Sequence, residues 1–193
     1  MTVKISGGFY RGLALSTPPA SITRPTASMV REAVFSMLGD IISGADVLDA
    51  FSGSGAMGLE ALSRGAASVT FCDRDPRAAV VIRQNIQKLQ PCHRKATKVL
   101  KLELPRQMGA IQNQSPFSLI LLDPPYQDES IAKMLLNKLA PSALAEPGSV
   151  AVWEQAPESL KLLDAEALKP WNLTKTRVWG RKAAAIFELE AAD

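Results

Sequence analysis

The sequence predicts an α/β protein. A mostly parallel seven-stranded sheet is covered by helices and finished by an antiparallel C-terminal hairpin. Three observations predict it. From Asp46 onward, short strand-like runs alternate with amphipathic helical runs. Several of those strands, 117–122 above all, are almost continuously apolar, as strands buried on both faces are. The last two strand-like runs are separated only by Gly180-Arg181-Lys182, a hairpin spacing.

In chain order, residues 3–15 read as a short hairpin. Val3-Lys4-Ile5 leads to a Gly7-Gly8 turn and then to Phe9 through Leu15. Pro18-Pro19 and Pro25 bracket an extended link. Residues 27–38 have helical spacing, with Met29 or Val30, Ala33 or Val34, and Met37 or Leu38 on one stripe, and Gly39 and Gly44 close the segment. Strands are expected at 46–50, 68–73, 96–101, 117–122, 148–153, 173–179 and 183–190. Helices are expected at 56–64, 75–89 and 128–140, with Ile82, Ile86 and Leu89 as the buried stripe of the second. There is no internal repeat and no low-complexity tract.

The 193 residues, 47% apolar and 21% charged, fit one globular domain with a small appendage. No apolar run approaches the roughly 18 residues needed to span a bilayer, and the N-terminus lacks the order of a signal peptide, so a cytoplasmic protein without membrane attachment is expected. Cys72, Cys92 and the single histidine, His93, form no metal-ligand spacing, so no metal is expected. The net charge of +3 is unevenly spread. Residues 1–39 carry Lys4, Arg11, Arg24 and Arg31 against Glu32 alone, and 74–101 carry eight Lys or Arg against Asp75 alone. Such segments suit a polyanion such as RNA and are equally ordinary as solvated faces.

Two motifs carry chemistry. The first runs from Val47 to Gly58, where Gly53, Gly55 and Gly58 have the Gly-x-Gly-x-x-Gly spacing of a nucleotide-binding strand-to-helix turn. Asp73 ends the next strand, 20 residues beyond Gly53, where a carboxylate can accept from ribose hydroxyls. NAD and S-adenosylmethionine both satisfy this pattern. Asp49, four residues before the first glycine, favours the second ligand, because a carboxylate attracts its ammonium group and repels a pyrophosphate.

The second motif is Asp123-Pro124-Pro125-Tyr126, directly after the apolar run 117–122. Ligands in such sheets sit beyond the carboxyl ends of the strands. An exocyclic amino nitrogen is a poor nucleophile, because its lone pair is delocalised into the ring. Two acceptors aimed at its N–H groups orient it: the Asp123 carboxylate and the Pro124 carbonyl. The prolines stiffen the loop. Tyr126 offers a face on which a base can stack. Methyl transfer to an amino group is the chemistry these residue types suit, since it demands alignment above all.

The chain resembles the RsmD-type methyltransferases, which modify N2 of a guanine in small-subunit (16S) rRNA. The likeness rests on Ile5 to Gly12, on Arg24-Pro25-Thr26 followed by Val30-Arg31-Glu32-Ala33-Val34-Phe35, and on Asp49 to Gly65. Asp73-Arg74-Asp75, Asn85, the tetrapeptide, Glu154, and Arg177-Val178-Trp179-Gly180 extend it. It implies a Rossmann-like methyltransferase domain over 40–193 and an RNA-contacting hairpin-helix extension over 1–39. It implies S-adenosylmethionine bound by Asp49, Phe51, Ser52, Gly53, Ser54, Gly55, Asp73 and Arg74, and catalysis by Asp123, Pro124 and Tyr126. It implies phosphate contacts from Arg11, Arg24 and Arg31 and a partner that is small-subunit rRNA or the assembling subunit, met by a monomer. The sequence departs from the family at Val99 to Pro105, which leaves Leu102 or Glu103 for the adenine side. The rival readings are an amino-methyltransferase acting on DNA or a protein glutamine, and a non-catalytic nucleotide-binding module.

Overall fold

A computed structural model describes residues 3–18, 25–124, 130–164 and 166–191, and side chains of the first helix from Ser28. Nine strands alternate with six helices in these segments. They are β1 (Val3–Lys4), β2 (Ala14–Leu15), α1 (Pro25–Leu38), β3 (Asp46–Asp49), α2 (Ala56–Ser63), β4 (Ser68–Asp73), α3 (Pro76–Ile86), α4 (Pro91–Lys95), β5 (Thr97–Lys101), β6 (Leu119–Leu122), α5 (Ser130–Leu139), β7 (Val150–Gln155), α6 (Pro157–Lys161), β8 (Trp171–Trp179) and β9 (Lys182–Leu189). The main sheet has the order β5-β4-β3-β6-β7-β9-β8. Five strands from β3 to β7 run parallel; β9 is antiparallel to both its neighbours. Seven strands, mostly parallel with an antiparallel C-terminal hairpin, match the expected fold class.

Period-two alternation divides the core between the two faces of the sheet. Val47, Val69, Phe71, Leu119, Leu121, Val152 and Ile186 pack on one face with α1, α2 and α3. Leu48, Cys72, Ile120, Leu122, Trp153 and Phe187 pack on the other with α5. There Trp171 Nε1 donates to the Leu136 carbonyl at 2.9 Å, fastening the C-terminal hairpin to α5. Ile5, Leu15, Val30, Val34, Phe35 and Leu38 belong to the first of these cores, so the N-terminal segment packs continuously with the sheet.

The N-terminal hairpin differs from expectation. Only Val3–Lys4 and Ala14–Leu15 pair as strands, and the intervening loop wraps over the end of α2. The reason is a competing set of acceptors. Glu60, fully buried, takes the N–H groups of Ser6 and Gly7, each at 2.8 Å, and the Ser63 carbonyl takes that of Phe9 at 2.7 Å. Donors expected to pair across strands instead satisfy α2.

β3 is the switch point. It pairs with β4 on one side and β6 on the other, so the chain leaves it in both directions and opens a crevice at the carboxyl ends of these strands.

Candidate active site

The loop after β3 stays knitted to both neighbours. Ala50 N–H donates to the Leu121 carbonyl at 3.1 Å and Ser52 N–H to that of Cys72 at 3.0 Å. The glycines have different reasons. Gly53 has φ of 53° with open space where a side chain would project, so a ligand can approach the backbone there. At Gly58 an added Cβ would lie 2.4 Å from Phe71 Cε1, so this glycine lets α2 sit tightly on β4.

A cavity of about 350 Å³ opens beside this loop, lined by Ala50, Phe51, Gly53, Asp73, Arg74, Leu102, Glu103, Leu104, Asp123 and Ile131. The strand order explains the company. Asp49, Asp73 and Asp123 come from the carboxyl ends of β3, β4 and β6, and Leu102 is held beside β4 by its N–H donating to the Asp73 carbonyl at 3.0 Å. Both candidates for the adenine side, Leu102 and Glu103, stand in the cavity wall.

Asp73 is anchored through both oxygens. Oδ2 accepts from Gly53 N–H and Oδ1 from Asp75 N–H, each at 2.8 Å. Each oxygen keeps a further lone pair for a ligand hydroxyl. Asp49 lies behind the loop, 3% exposed, and Oδ2 accepts from Gly58 N–H at 2.9 Å at the start of α2. Burial pushes its carboxyl up to about 7; the Gly58 hydrogen bond opposes the shift and the charge of Asp73 adds to it.

Asp123 is exposed where it opens into the cavity, yet the protein packed around the end of β6 desolvates its carboxyl. That desolvation, followed by the charge of Glu154, pushes it up to about 7; Lys182 opposes this and Asp49 adds to it. The pairing of Leu122 with Trp153 sets Asp123 beside Glu154 at the end of β7. Glu154 in turn holds an ion pair with Lys182, which the β8–β9 turn brings to this edge. Neither partnership is visible from spacing along the chain.

The structure brings Phe51, Gly53, Asp73, Arg74 and Asp123 together in the cavity wall. Ser52 and Ser54 are turned to other work. Ser52 Oγ donates to the carbonyls of Asp49 at 2.7 Å or Cys72 at 3.1 Å, and the Ser54 carbonyl accepts from Asn85 Nδ2 at 3.0 Å. Gly55 lies against Phe71 and Ile82 behind the cavity. Pro124 is buried next to Asp123, whereas Pro125, Tyr126 and Arg24 lie outside the described residues. Among the described residues, no group of three or more His, Cys, Asp or Glu is placed to hold a metal ion.

Of the arginines expected to meet phosphate, Arg11 is exposed. Arg31 corrects the expectation. It is 4% exposed, its Nε donates to Glu60 Oε2 at 3.1 Å, and its terminal nitrogen donates to the Lys4 carbonyl. Arg64 reaches the other Glu60 oxygen at 2.9 Å. Burial would raise the Glu60 carboxyl, but hydrogen bonds from Ser6 and Arg64 and the charge of Arg31 hold it below the ordinary range. Glu60 is thus the hub that fastens the N-terminal hairpin to α2. The sequence signal for it is an acid set between Leu59, Ala61 and Leu62, inside the apolar run of a helix. Asn85, fully buried, makes a second such fastening. Its Nδ2 donates to the carbonyls of Ser16 and Ser54, and its Oδ1 accepts from Ser16 N–H, tying the N-terminal segment to the glycine loop.

The strand order, the glycine turn after β3 and the acids ending β4 and β6 define a class I methyltransferase fold. It is shared with solved structures such as the ribosomal protein L11 methylase from Lactobacillus delbrueckii subsp. bulgaricus (TM-score 0.70, 15% identity, covering 95% of this chain and 89% of that one). Within that class the chain belongs to the family described as Conserved hypothetical protein 95, whose model matches residues 3–188. It is 30% identical over 190 residues to the Escherichia coli (strain K12) protein named Ribosomal RNA small subunit methyltransferase D, covering 98% of this chain and 91% of that relative. It is 29% identical over 187 residues to the Putative rRNA methyltransferase YlbH of Bacillus subtilis (strain 168), covering 96% and 98%. The structure titled Putative methyltransferase yhhF from Escherichia coli superposes with a TM-score of 0.83 at 27% identity, covering 100% of both chains. The family resemblance carried by the sequence motifs is borne out.

The cavity residues fit S-adenosylmethionine, the methyl donor that the family and fold imply. Phe51, Leu102, Leu104 and Ile131 offer apolar walls to a purine, Asp73 offers acceptors to ribose hydroxyls, and Gly53 leaves its backbone approachable.

Proposed function

We propose that the protein transfers a methyl group from S-adenosylmethionine to the exocyclic N2 of a guanine in small-subunit (16S) rRNA. The observation that carries this reading is that Asp123 lines the same cavity as Gly53 and Asp73, so an acceptor for an amino group and a nucleoside-binding turn share one space.

S-adenosylmethionine supplies, when bound, a methyl group activated by a sulfonium. The chain's own residues hold and aim. Phe51, Leu102, Leu104 and Ile131 pack the adenine, Asp73 accepts from the ribose, and Asp49 contributes negative charge behind the loop toward the ammonium. Asp123, as carboxylate, accepts one N–H of the guanine amino group, and the Pro124 carbonyl accepts the other. Held this way, the amino nitrogen presents its lone pair to the methyl. Positioning is the main source of rate. The target guanine is unstacked when it enters, because a paired guanine hides N2. Tyr126 stacks on it. Residues 1–39 form the extension that meets the rRNA, with Arg11 and Arg24 as phosphate contacts.

The test is incubation with methyl-labelled S-adenosylmethionine and separated RNA, DNA and protein fractions. Label in RNA, dependent on Asp123, is expected. Label confined to DNA or protein, or a protein that binds no S-adenosylmethionine by calorimetry, contradicts the reading.

A further inference from the structure

The motif Arg177-Val178-Trp179-Gly180 plays no part in the cavity. Its first three residues end β8, which forms one edge of the main sheet, and Gly180 begins the turn to β9. Residues 174–178 are all exposed, and the stretch 171–187 carries Lys175, Arg177, Arg181 and Lys182 without a single acid. Edge strands often carry charge simply to block pairing with another chain. Two features distinguish this one.

The first is sidedness. Past a register shift between Leu173 and Lys175, Lys175 pairs with Ile186, Arg177 with Ala184 and Trp179 with Lys182. Cross-strand partners share a face, so Lys175, Arg177 and Trp179 lie on the face of Ala184 and Ile186, where α1 also packs. Lys175 Nζ reaches the Met37 carbonyl at the end of α1, at 3.5 Å, and the Arg177 guanidinium lies 5.8 Å from the centre of the Trp179 ring. Thr176 and Val178, on the opposite face, are uncharged. The cations of this edge strand are therefore gathered on one face, beside the Trp179 ring.

The second is direction. β8 and β7 are both antiparallel to β9, so the Trp179 end of β8 lies at the same carboxyl edge as Gln155 and the Asp123 loop. Three strand spacings separate β8 from β6, about 14 Å at roughly 4.8 Å each. A stacked nucleic-acid strand covers that distance in about four nucleotides at a rise of ~3.4 Å. Lys182 is paired with Glu154 at the site, while Arg177 near the end of β8 and Arg181 in the turn that follows are both exposed.

We infer that the tip of the β8–β9 hairpin, through Arg177 and Arg181, binds the phosphate backbone of the rRNA strand a few nucleotides from the target guanine, forming a second anchor apart from the N-terminal extension. This rests on the function proposed above and adds where the substrate strand runs.

The experiment compares wild type with the double variant Arg177→Ala/Arg181→Ala for binding to 16S rRNA and to small subunits across a salt series. S-adenosylmethionine affinity and melting temperature are measured alongside. The expected result is roughly tenfold weaker rRNA binding with a salt slope shallower by about 1.4, the value for two contacts to a single strand. S-adenosylmethionine affinity stays unchanged. The charge-preserving variant Arg177→Lys/Arg181→Lys is expected to keep the wild-type slope. An unchanged slope in the alanine variant, with wild type binding RNA normally, overturns this inference and leaves the proposed function standing. Weakened binding to subunits alone, with naked rRNA bound as by wild type, assigns the tip to a ribosomal protein and also overturns it. Wild type that binds no RNA at all overturns both.

Discussion

Asp49 accepts the backbone N–H of Gly58 at 2.9 Å from a position almost sealed from solvent, so the carboxyl at the end of β3 is held at the start of α2 at a cost in ionisation. Its pKa is raised from the ordinary 3.8 to about 7. The protonated form therefore favours the folded chain. Stability from this group is fully present below about pH 4 and lost as pH rises toward 7, by an amount on the order of 4 kcal/mol for about three units. Asp49→Asn keeps an acceptor for Gly58 and removes the charge. It is expected to melt above wild type at pH 8, to melt with it near pH 4, and to bind S-adenosylmethionine more weakly. Equal melting temperatures at pH 8 would show that the buried charge costs nothing.

Asp123 is shifted in the same direction, by desolvation and by Glu154. The proposed acceptor role needs the carboxylate, so single-turnover kcat/KM is expected to rise with pH through about 7 and then level off. Asp123→Asn is expected to lose this pH dependence, with turnover reduced roughly 100-fold or more, the scale of losing an aligned polar group. Asp123→Ala is expected to retain S-adenosylmethionine binding. Near-normal turnover with an unchanged profile contradicts the role.

Arg31 and Arg11 separate packing from RNA contact. Arg31→Ala breaks a buried ion pair and is expected to cost about 3 kcal/mol in chemical denaturation, the lower end for such pairs because Glu60 keeps Arg64 and Ser6. Its rRNA salt slope is expected to match wild type. Arg11→Ala is expected to do the reverse, leaving the melting temperature alone and lowering the slope by about 0.7 to 0.9. A stability loss at Arg11, or a slope change at Arg31, exchanges these assignments.

Gly58→Ala sets a Cβ 2.4 Å from Phe71 and 2.8 Å from Val69, both inside the core. Overpacking of this kind is expected to cost about 1–3 kcal/mol. Denaturant titration checks it, and a neutral result means that α2 can shift on β4.

The central strands were legible because each carries its own apolar pattern: the run 68–73 is β4, and 117–122 contains β6 and ends with it at Leu122. That Asp123 and the glycine loop stand at the carboxyl edge of the sheet, in one cavity wall, was legible because strand ends and turns are local as well. What escaped the sequence was what joins distant segments. Residue spacing reveals nothing of Glu60 gathering Ser6, Gly7, Arg31 and Arg64, so Arg31 read as a phosphate ligand and the N-terminal loop as a paired hairpin. Ser52 stands among the expected cofactor contacts because the family resemblance covers the whole loop from Asp49; that its hydroxyl donates to the carbonyl of Asp49 or of Cys72 is a fact the loop's own sequence does not carry. Glu154 and Lys182 lie 28 positions apart and meet only because β9 returns antiparallel to β7.

The most direct measurement is nucleoside mass spectrometry of 16S rRNA from unmethylated small subunits after incubation with the protein and methyl-labelled S-adenosylmethionine. The expected product is labelled N2-methylguanosine at a single position, absent when Asp123→Ala replaces wild type. Label in a different nucleoside, or in protein with none in rRNA, contradicts the assignment.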